Sequence, residues 1–252
     1  MGRLVCPTAL VTTLLGNTIF SSKDAAREHA WRALEHGGFA RPPFPTHGRI
    51  PNFAGAEAAA AQLFAEPRWQ EVRAIKVNPD TPQLPVRVAA LRRGIEVYVP
   101  TPKLAGGFML LSPDRIPASA FHEAATRQTM LRWAVPVSLG ELPQLDGIVT
   151  GCAAVTRAGK RCGKGAGYSD LELGVLMELG HEPCLVATTV HDVQVVGDFP
   201  VESTDLTVNI VCTPTQRFVA APEPLRTPGL DWSRLDSDQL AAMPILRELR
   251  PG

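Results

Sequence analysis

The sequence predicts an α/β domain in which a largely parallel sheet is flanked by helices. Three observations carry that expectation. Between Val72 and Val99 an apolar run, a helical segment and a second apolar run follow one another, the rhythm of a β-α-β unit. Between Asp146 and Glu172 an apolar strand (Ile148 to Val155) runs into a glycine-rich turn (Gly159, Gly163, Gly165, Gly167) and a helix opening near Tyr168. Composition agrees: of 252 residues 45% are hydrophobic and 20% charged, enough apolar material for a large core.

Taken in order, the elements are justified as follows. Ser21 or Ser22 caps the run KDAAREHAWRALEHGG, with Asp24 in its first turn and Gly37 closing it. Ala26, Ala30, Trp31 and Leu34 fall at helical spacing and give the buried stripe. The proline-rich stretch Ala40 to Phe53 is an extended connector carrying His47 and Arg49. Gly55 to Phe64 is a helix stopped by Pro67; Val72 to Val77 and Ile95 to Val99 are strands around a helix at Val86 to Arg93. Met109 to Leu111 is a short strand, and Ala118 to Trp133 reads as a helix ending near Pro136. Tyr168 to Leu179 is a helix stopped by Gly180, Cys184 to Val190 a strand, and Gln194 to Val196 a second short run. Leu206 to Cys212 is a final strand entered through Asp205, and WSRLDSDQLAAMPILREL an appended helix. Domain boundaries follow: 1–21 a weakly ordered extension, 22–220 the α/β domain, 221–252 an extension packing on the same domain.

Lysine plus arginine equals aspartate plus glutamate, 25 each, so no global field exists to hold nucleic acid or an acidic membrane. Any anion site must be local. No apolar run approaches the about 18 residues of a membrane span. Arg3 and the run Ala9 to Leu15 lack a following A-x-A-like cleavage site, so the start reads as an extension rather than a signal peptide. The five cysteines (Cys6, Cys152, Cys162, Cys184, Cys212) form no C-x-x-C pair; Cys152, Cys184 and Cys212 read as buried thiols, and a reducing cytoplasm fits.

The local anion site is the turn after Val155. Glycines at 163, 165 and 167 let the backbone take positive φ, so that amides converge on an anion at the following helix N-terminus. Lys160, Arg161 and Lys164 add positive charge. Only three residues separate Gly159 from Gly163-Lys164, and Gly165 stands where a Walker A loop places its hydroxyl; the spacing G-x-G-x-G also fails the dinucleotide fingerprint. An ordinary strand-to-helix turn with exposed lysines gives the same pattern. Lys23 and Arg27, four apart, project from one helix face, which serves either a site or solvent. His191 beside Asp192 reads as a hydrogen-bonded turn histidine rather than a general base.

GKRCGKGAGYSDLE, from Gly159 to Glu172, resembles the signature loop of the 5-formyltetrahydrofolate cyclo-ligases (methenyltetrahydrofolate synthetases), and most closely their methenyltetrahydrofolate synthetase domain-containing branch. IPNF (Ile50 to Phe53), KVNPD (Lys76 to Asp80), VPTP (Val99 to Pro102), TTVHDVQVV (Thr188 to Val196) and TDLTVNIVCTPT (Thr204 to Thr215) have counterparts in that branch. The resemblance spans about residues 22–250. It implies a cyclo-ligase-like fold of the NagB/RpiA/CoA-transferase-like kind, in one-carbon metabolism. The implied reaction uses Mg·ATP to phosphorylate the formyl oxygen of 5-formyltetrahydrofolate; a folate nitrogen then attacks, and phosphate loss leaves 5,10-methenyltetrahydrofolate.

By the same resemblance Lys23, Arg27, Arg161, Gly163, Lys164, Gly165, Ala166, Gly167 and Tyr168 bind ATP, and Lys164 and Tyr168 are catalytic. Lys76 and Tyr168 face the folate, while Asp170 and Asp205 hold Mg²⁺. Asp170 is equally a first-turn acid favouring the helix dipole, and Asp205 equally a cap at a strand entrance. The sequence departs from the family at Ser169, which replaces a second tyrosine, at Thr204, which replaces a histidine, and at DTPQLP (Asp80 to Pro85), which replaces an acidic cluster. The resemblance therefore implies an intact nucleotide half and an altered folate half. Three readings stay open: this cyclo-ligase, an ATP-dependent enzyme on another small carbonyl compound, or a nucleotide-binding regulatory module without turnover. The expected partner is a small molecule, with no nucleic acid or membrane, in a cytoplasmic monomer or homodimer.

Overall fold

A computed structural model describes residues 18–182, 185–220, 230–235 and 237–249, the side chains of 242 and 248 excepted. The chain runs through α1 (Lys23–His36), a hairpin of β1 (Ala40–Arg41) and β2 (Asn52–Phe53), α2 (Ala56–Phe64), β3 (Ala74–Val77), α3 (Leu84–Leu91), β4 (Glu96–Pro100), β5 (Phe108–Leu111), α4 (Phe121–Ala125) and β6 (Val135–Val137). It continues through β7 (Gly147–Val149), β8 (Ala154–Thr156), β9 (Arg161–Cys162), α5 (Tyr168–Glu178), β10 (Leu185–Thr189), β11 (Val195–Val196), β12 (Ile210–Cys212), β13 (Arg217–Val219), α6 (Ser237–Ala242) and α7 (Ile245–Glu248).

An eight-stranded sheet has the order β13-β12-β10-β7-β3-β4-β5-β6. Its middle is parallel, β12 to β10 to β7 to β3 to β4, and β13, β5 and β6 add antiparallel edges. In chain order the parallel strands run 2-1-3-4-5, so the order reverses between β3 and β7. In sheets of this type the crevice beyond the carboxyl ends at that reversal is the natural ligand site. Period-two alternation divides the core into two layers. Ile75, Val77, Val97, Val149, Leu185 and Ile210 pack under α2, α3 and α4. Ala74, Tyr98, Ile148, Val186 and Val211 face α5, and Leu230, Met243 and Leu246 of the C-terminal segment join that layer. Each such fully buried aliphatic side chain contributes about 1.5–3 kcal/mol.

A smaller sheet, β11-β8-β9, carries α1 on its surface through Ala26, Ala30, Ala154, Cys162, Val196 and Phe199. The cap on α1 is Ser22, whose hydroxyl accepts from the Ala25 amide at 3.1 Å, and the predicted stripe of Ala26, Ala30, Trp31 and Leu34 is buried. Thr18 to Phe20 lies against the same unit, with the Phe20 amide donating to Asp198 O at 2.8 Å.

Several elements differ from expectation. Ile148 to Val155 is not one strand: Ile148 and Val149 pair in the large sheet, while Ala154 to Thr156 pair with β11 and β9 in the small one. A continuous apolar run cannot show from its own pattern that its two halves have different partners. The helix expected over 118–133 is broken at Thr126, whose ψ is 126°. There the hydroxyls of Thr126 and Thr129 bond to the carbonyls of His122 and Glu123, at 2.8 and 2.6 Å, and compete with the next helical turn. The last strand shrinks to Ile210–Cys212, because the amides of Leu206 and Val208 are taken by Asp170 Oδ1 and Gly159 O. The appended helix is two short ones, Ser237–Ala242 and Ile245–Glu248, with Pro244 between them.

Candidate functional site

A cleft of about 320 Å³ opens at the carboxyl edge of β3 and β4. Its roof is the segment Arg161 to Glu172, built because β8 and β9 form a hairpin that returns the chain over the sheet before α5 begins. Gly167 caps α5 in a left-handed conformation, so the first-turn amides and the positive end of an 11-residue helix face the cleft. Gly165 has φ of 108°, a conformation that a β-branched residue resists. The lower wall is Asn78, Pro79 and Asp80 after β3, and Pro100 to Lys103 after β4. Lys103 itself has φ of 56°, local strain of the kind found at binding sites, and its Nζ lies 5.8 Å from the Tyr168 ring centre.

Eleven of the residues expected from sequence line this cleft together: Lys23, Arg27, Arg161, Gly163, Lys164, Gly165, Ala166, Gly167, Tyr168, Asp170 and Asp205. The small sheet makes this possible by setting α1 across the glycine loop. Arg27 Nε donates to Gly163 O at 2.7 Å, and its Nη1 pairs with Asp24. Lys23 Nζ is 2.8 Å from both Asp205 oxygens. Arg161, only 3% exposed, donates through Nη1 to Asp170 Oδ1 at 2.9 Å. Its Nε has no partner among the described residues. Lys164 Nζ lies 3.8 Å from Asp80 Oδ1 and is half exposed. An exposed pair of this kind holds loosely, so Lys164 can turn to an anion that enters.

Lys76 is placed differently from the sequence expectation. It does not line the cleft; at 1% exposure its ammonium is bound by Glu172 Oε2 at 2.5 Å and by Asn78 Oδ1 at 3.0 Å. The physical reason is the strand period: Ile75 and Val77 point to the α3 side, which turns Lys76 toward α5. Gln83 of the DTPQLP segment is fully buried, with Nε2 at 3.5 Å from Thr189 Oγ1, so of that segment only Asp80 reaches the cleft. Arg127 and Glu172 are among the cleft residues to which the sequence assigned no role. Glu172 carried a signal, since it stands four after Tyr168 and therefore on the same helix face. Arg127 carried none.

Asp170 Oδ1 accepts from both Arg161 and the Leu206 amide, and Asp205 Oδ2 accepts from Lys23 and the Glu202 amide. Among the described residues no three His, Cys, Asp or Glu side chains gather as a metal centre. The pair suits a hard ion only if that ion keeps most of its shell on phosphate oxygens and water, which is the habit of Mg²⁺. Burial pushes the Cys152 and Cys212 thiols up to about 12, so both stay protonated at neutral pH. Cys6 and Cys184 lie outside the described residues. Among the described residues no helix is long and apolar enough to cross a membrane.

His191 is a turn residue, as expected. Its Nδ1 accepts from the Val193 amide at 3.3 Å, and its ring stacks on Phe39 at 4.1 Å. Burial lowers the pKa of His191, and likewise of His29 and His181, below the ordinary 6.5. Below pH 6.5 the unfolded chain then binds protons that the native state refuses, so stability present above 6.5 is lost as pH falls. The melting temperature is therefore expected to drop between pH 7.5 and pH 5.5; a flat or rising profile over that window would contradict this.

The sequence matches the 5-formyltetrahydrofolate cyclo-ligase family over residues 26–214. The methenyltetrahydrofolate synthase domain-containing proteins of Mus musculus and Bos taurus are each 38% identical over 236 residues, 91% of this chain. The chain spans 63% and 62% of the length of those two relatives. Among solved structures, the 5,10-methenyltetrahydrofolate synthetase of Aquifex aeolicus superposes with a TM-score of 0.52 at 16% identity, covering 84% of this chain and 99% of that one. At that identity the likeness concerns the fold.

Proposed function

Because the chain belongs to the 5-formyltetrahydrofolate cyclo-ligase family, we propose that it converts 5-formyltetrahydrofolate to 5,10-methenyltetrahydrofolate, consuming Mg·ATP and releasing ADP and phosphate. The observation that carries this reading is the convergence of Lys23, Arg27, Arg161, Lys164 and the Gly163 to Tyr168 backbone on one cleft. Phosphoryl transfer asks chiefly for positioning and charge neutralisation, and the site offers both without a covalent nucleophile. In this reading Lys23 and Arg27 take the triphosphate from the α1 side, and the loop amides take it from the helix end. Lys164 neutralises charge that develops on the transferred group. Tyr168 forms the boundary with the folate. Mg²⁺, when bound, screens the phosphate oxygens, with Asp170 and Asp205 supplying the protein's share of its ligands.

The test is direct: purified protein is incubated with Mg·ATP and 5-formyltetrahydrofolate, and methenyltetrahydrofolate formation is followed by its absorbance. Weak turnover limited by a high folate KM is expected, because the DTPQLP segment puts one acid into the cleft where the family has a cluster. Lost contacts to the ground and transition states alike raise KM more than they lower kcat. Turnover with a low-micromolar folate KM would show that the segment does not matter. Absent turnover with normal Mg·ATP binding would favour a nucleotide-binding module without turnover.

Gly165→Val separates nucleotide binding from folding. An added Cβ meets only ordinary contact, 3.9 Å to Arg27 Cζ, so the fold should hold. The loop itself must leave φ of 108°, which disperses the amides. Calorimetry should show Mg·ATP affinity reduced by about tenfold or more with the melting temperature little changed. Unaltered affinity would remove the loop from the nucleotide site.

A further inference from the structure

Where β3 meets α5 the cleft carries a buried ion pair that the phosphate cradle does not use. Lys76 Nζ is 2.5 Å from Glu172 Oε2, and Asn78 Nδ2 donates to the same oxygen at 3.3 Å. Lys76, Asn78 and Glu172 are 1%, 4% and 6% exposed. Asn78 and Glu172 line the cleft, and both bonds to the carboxylate fall on Oε2, which leaves Oε1 without a hydrogen bond among the described residues.

The fold itself has no need of this pair. Ala74 and Ile148, its neighbours on this face of the sheet, are apolar and belong to the layer under α5. A Lys and a Glu inserted there lose hydration, and apolar residues of similar volume generally serve stability as well or better. What the pair adds is a fixed carboxylate acceptor lining a cavity, in a medium where hydrogen bonds are strong. The charges of Lys76 and Glu172 cancel, so this part of the cleft does not attract anions. Lys23, Arg27, Arg161 and Lys164 gather instead around Gly163 to Gly167. The cleft thus offers cations and loop amides to phosphate and, on Glu172, a carboxylate oxygen to a neutral group bearing N–H donors.

We propose that Glu172 is the specificity-determining residue for the second substrate. Its Oε1, beside the Asn78 amide, accepts from the N–H edge of a 2-amino-4-oxopyrimidine, the donor edge of a reduced pterin. Lys76 is a positioning residue that fixes the Glu172 carboxylate through the bond to Oε2. This assignment rests on the cyclo-ligase reading above.

The experiment compares wild type, Glu172→Gln and the double variant Lys76→Met/Glu172→Leu by calorimetry. Mg·ATP, 5-formyltetrahydrofolate and its 2-desamino analogue serve as separate titrants, with melting temperature as the folding control. Wild type should bind the desamino analogue about tenfold more weakly than the parent folate. Glu172→Gln should weaken the parent folate by about tenfold and abolish the discrimination, with Mg·ATP affinity within about twofold. The double variant should stay folded by its cooperative melt, keep Mg·ATP and lose the folate, which a merely structural pair would not do. Full folate affinity in the double variant overturns the proposal, as does a wild type that binds Mg·ATP but not folate or does not discriminate the analogue. A wild type that binds neither Mg·ATP nor folate instead overturns the cyclo-ligase reading itself.

Discussion

Arg87→Leu is expected to lose about 3–5 kcal/mol of stability and to loosen the β3 wall of the cleft. Arg87 stands on α3, is 1% exposed, and spends its donors on backbone. Its Nη1 reaches Asn78 O at 2.5 Å and Asp80 O at 3.2 Å, its Nη2 reaches Pro79 O at 3.4 Å, and its Nε reaches Ala125 O at 2.9 Å. Burial lowers its pKa to about 10, against the pull of Asp80, so it is still a cation at neutral pH. Leucine fills part of the volume but leaves the carbonyls of Asn78, Pro79 and Ala125 without their donor, while Asp80 O keeps the Gln83 amide at 3.1 Å. Each orphaned buried group costs about 1–3 kcal/mol. Arg87→Lys should recover little, because a point-charge ammonium cannot span three carbonyls as the planar fork does. Urea unfolding measures the loss; a variant within about 0.5 kcal/mol of wild type would show that water replaces the guanidinium freely. Since Asn78 and Asp80 are the residues held, folate affinity should fall further than Mg·ATP affinity in whatever protein stays folded.

Gly159→Ala should be nearly as damaging, and for a reason unrelated to phosphate. A Cβ at 159 would lie 1.8 Å from Val208 O, and Gly159 has φ of 87°. Gly159 O also accepts from the Val208 amide at 2.9 Å, so the two backbones are locked face to face. A left-handed non-glycine costs about 1–2 kcal/mol, and overpacking against backbone about 1–3 kcal/mol more. Thermal and denaturant midpoints should therefore fall sharply, while any folded fraction keeps its nucleotide affinity. A stable variant with lost Mg·ATP binding would reverse this and return Gly159 to the anion loop. The contrast with Gly165→Val, which should spare the fold and lose the nucleotide, divides glycines that the sequence presents as one group.

That division shows where legibility stopped. The sequence alone determined what depends on neighbours in the chain. A serine at 21 or 22 caps α1 and its four-residue spacings bury Ala26, Ala30, Trp31 and Leu34; α5 opens at Tyr168 after Gly167; and the β-α-β rhythm gives a parallel sheet. The gathering of Gly163 to Tyr168 was legible for the same reason, since turn, charge and helix start are contiguous. Only the tertiary structure decided what depends on partners far along the chain. It split Ile148 to Val155 between two sheets, set Lys23 and Arg27 against Asp205 and Gly163, and assigned Gly159 to packing on Val208. It also turned Lys76 inward to Glu172 and Arg87 onto the carbonyls after β3. Helical and strand periods state which side of an element a residue occupies, but not what waits on that side. The occupant is fixed by sheet order and crossover packing, which are set by burial summed over the whole chain.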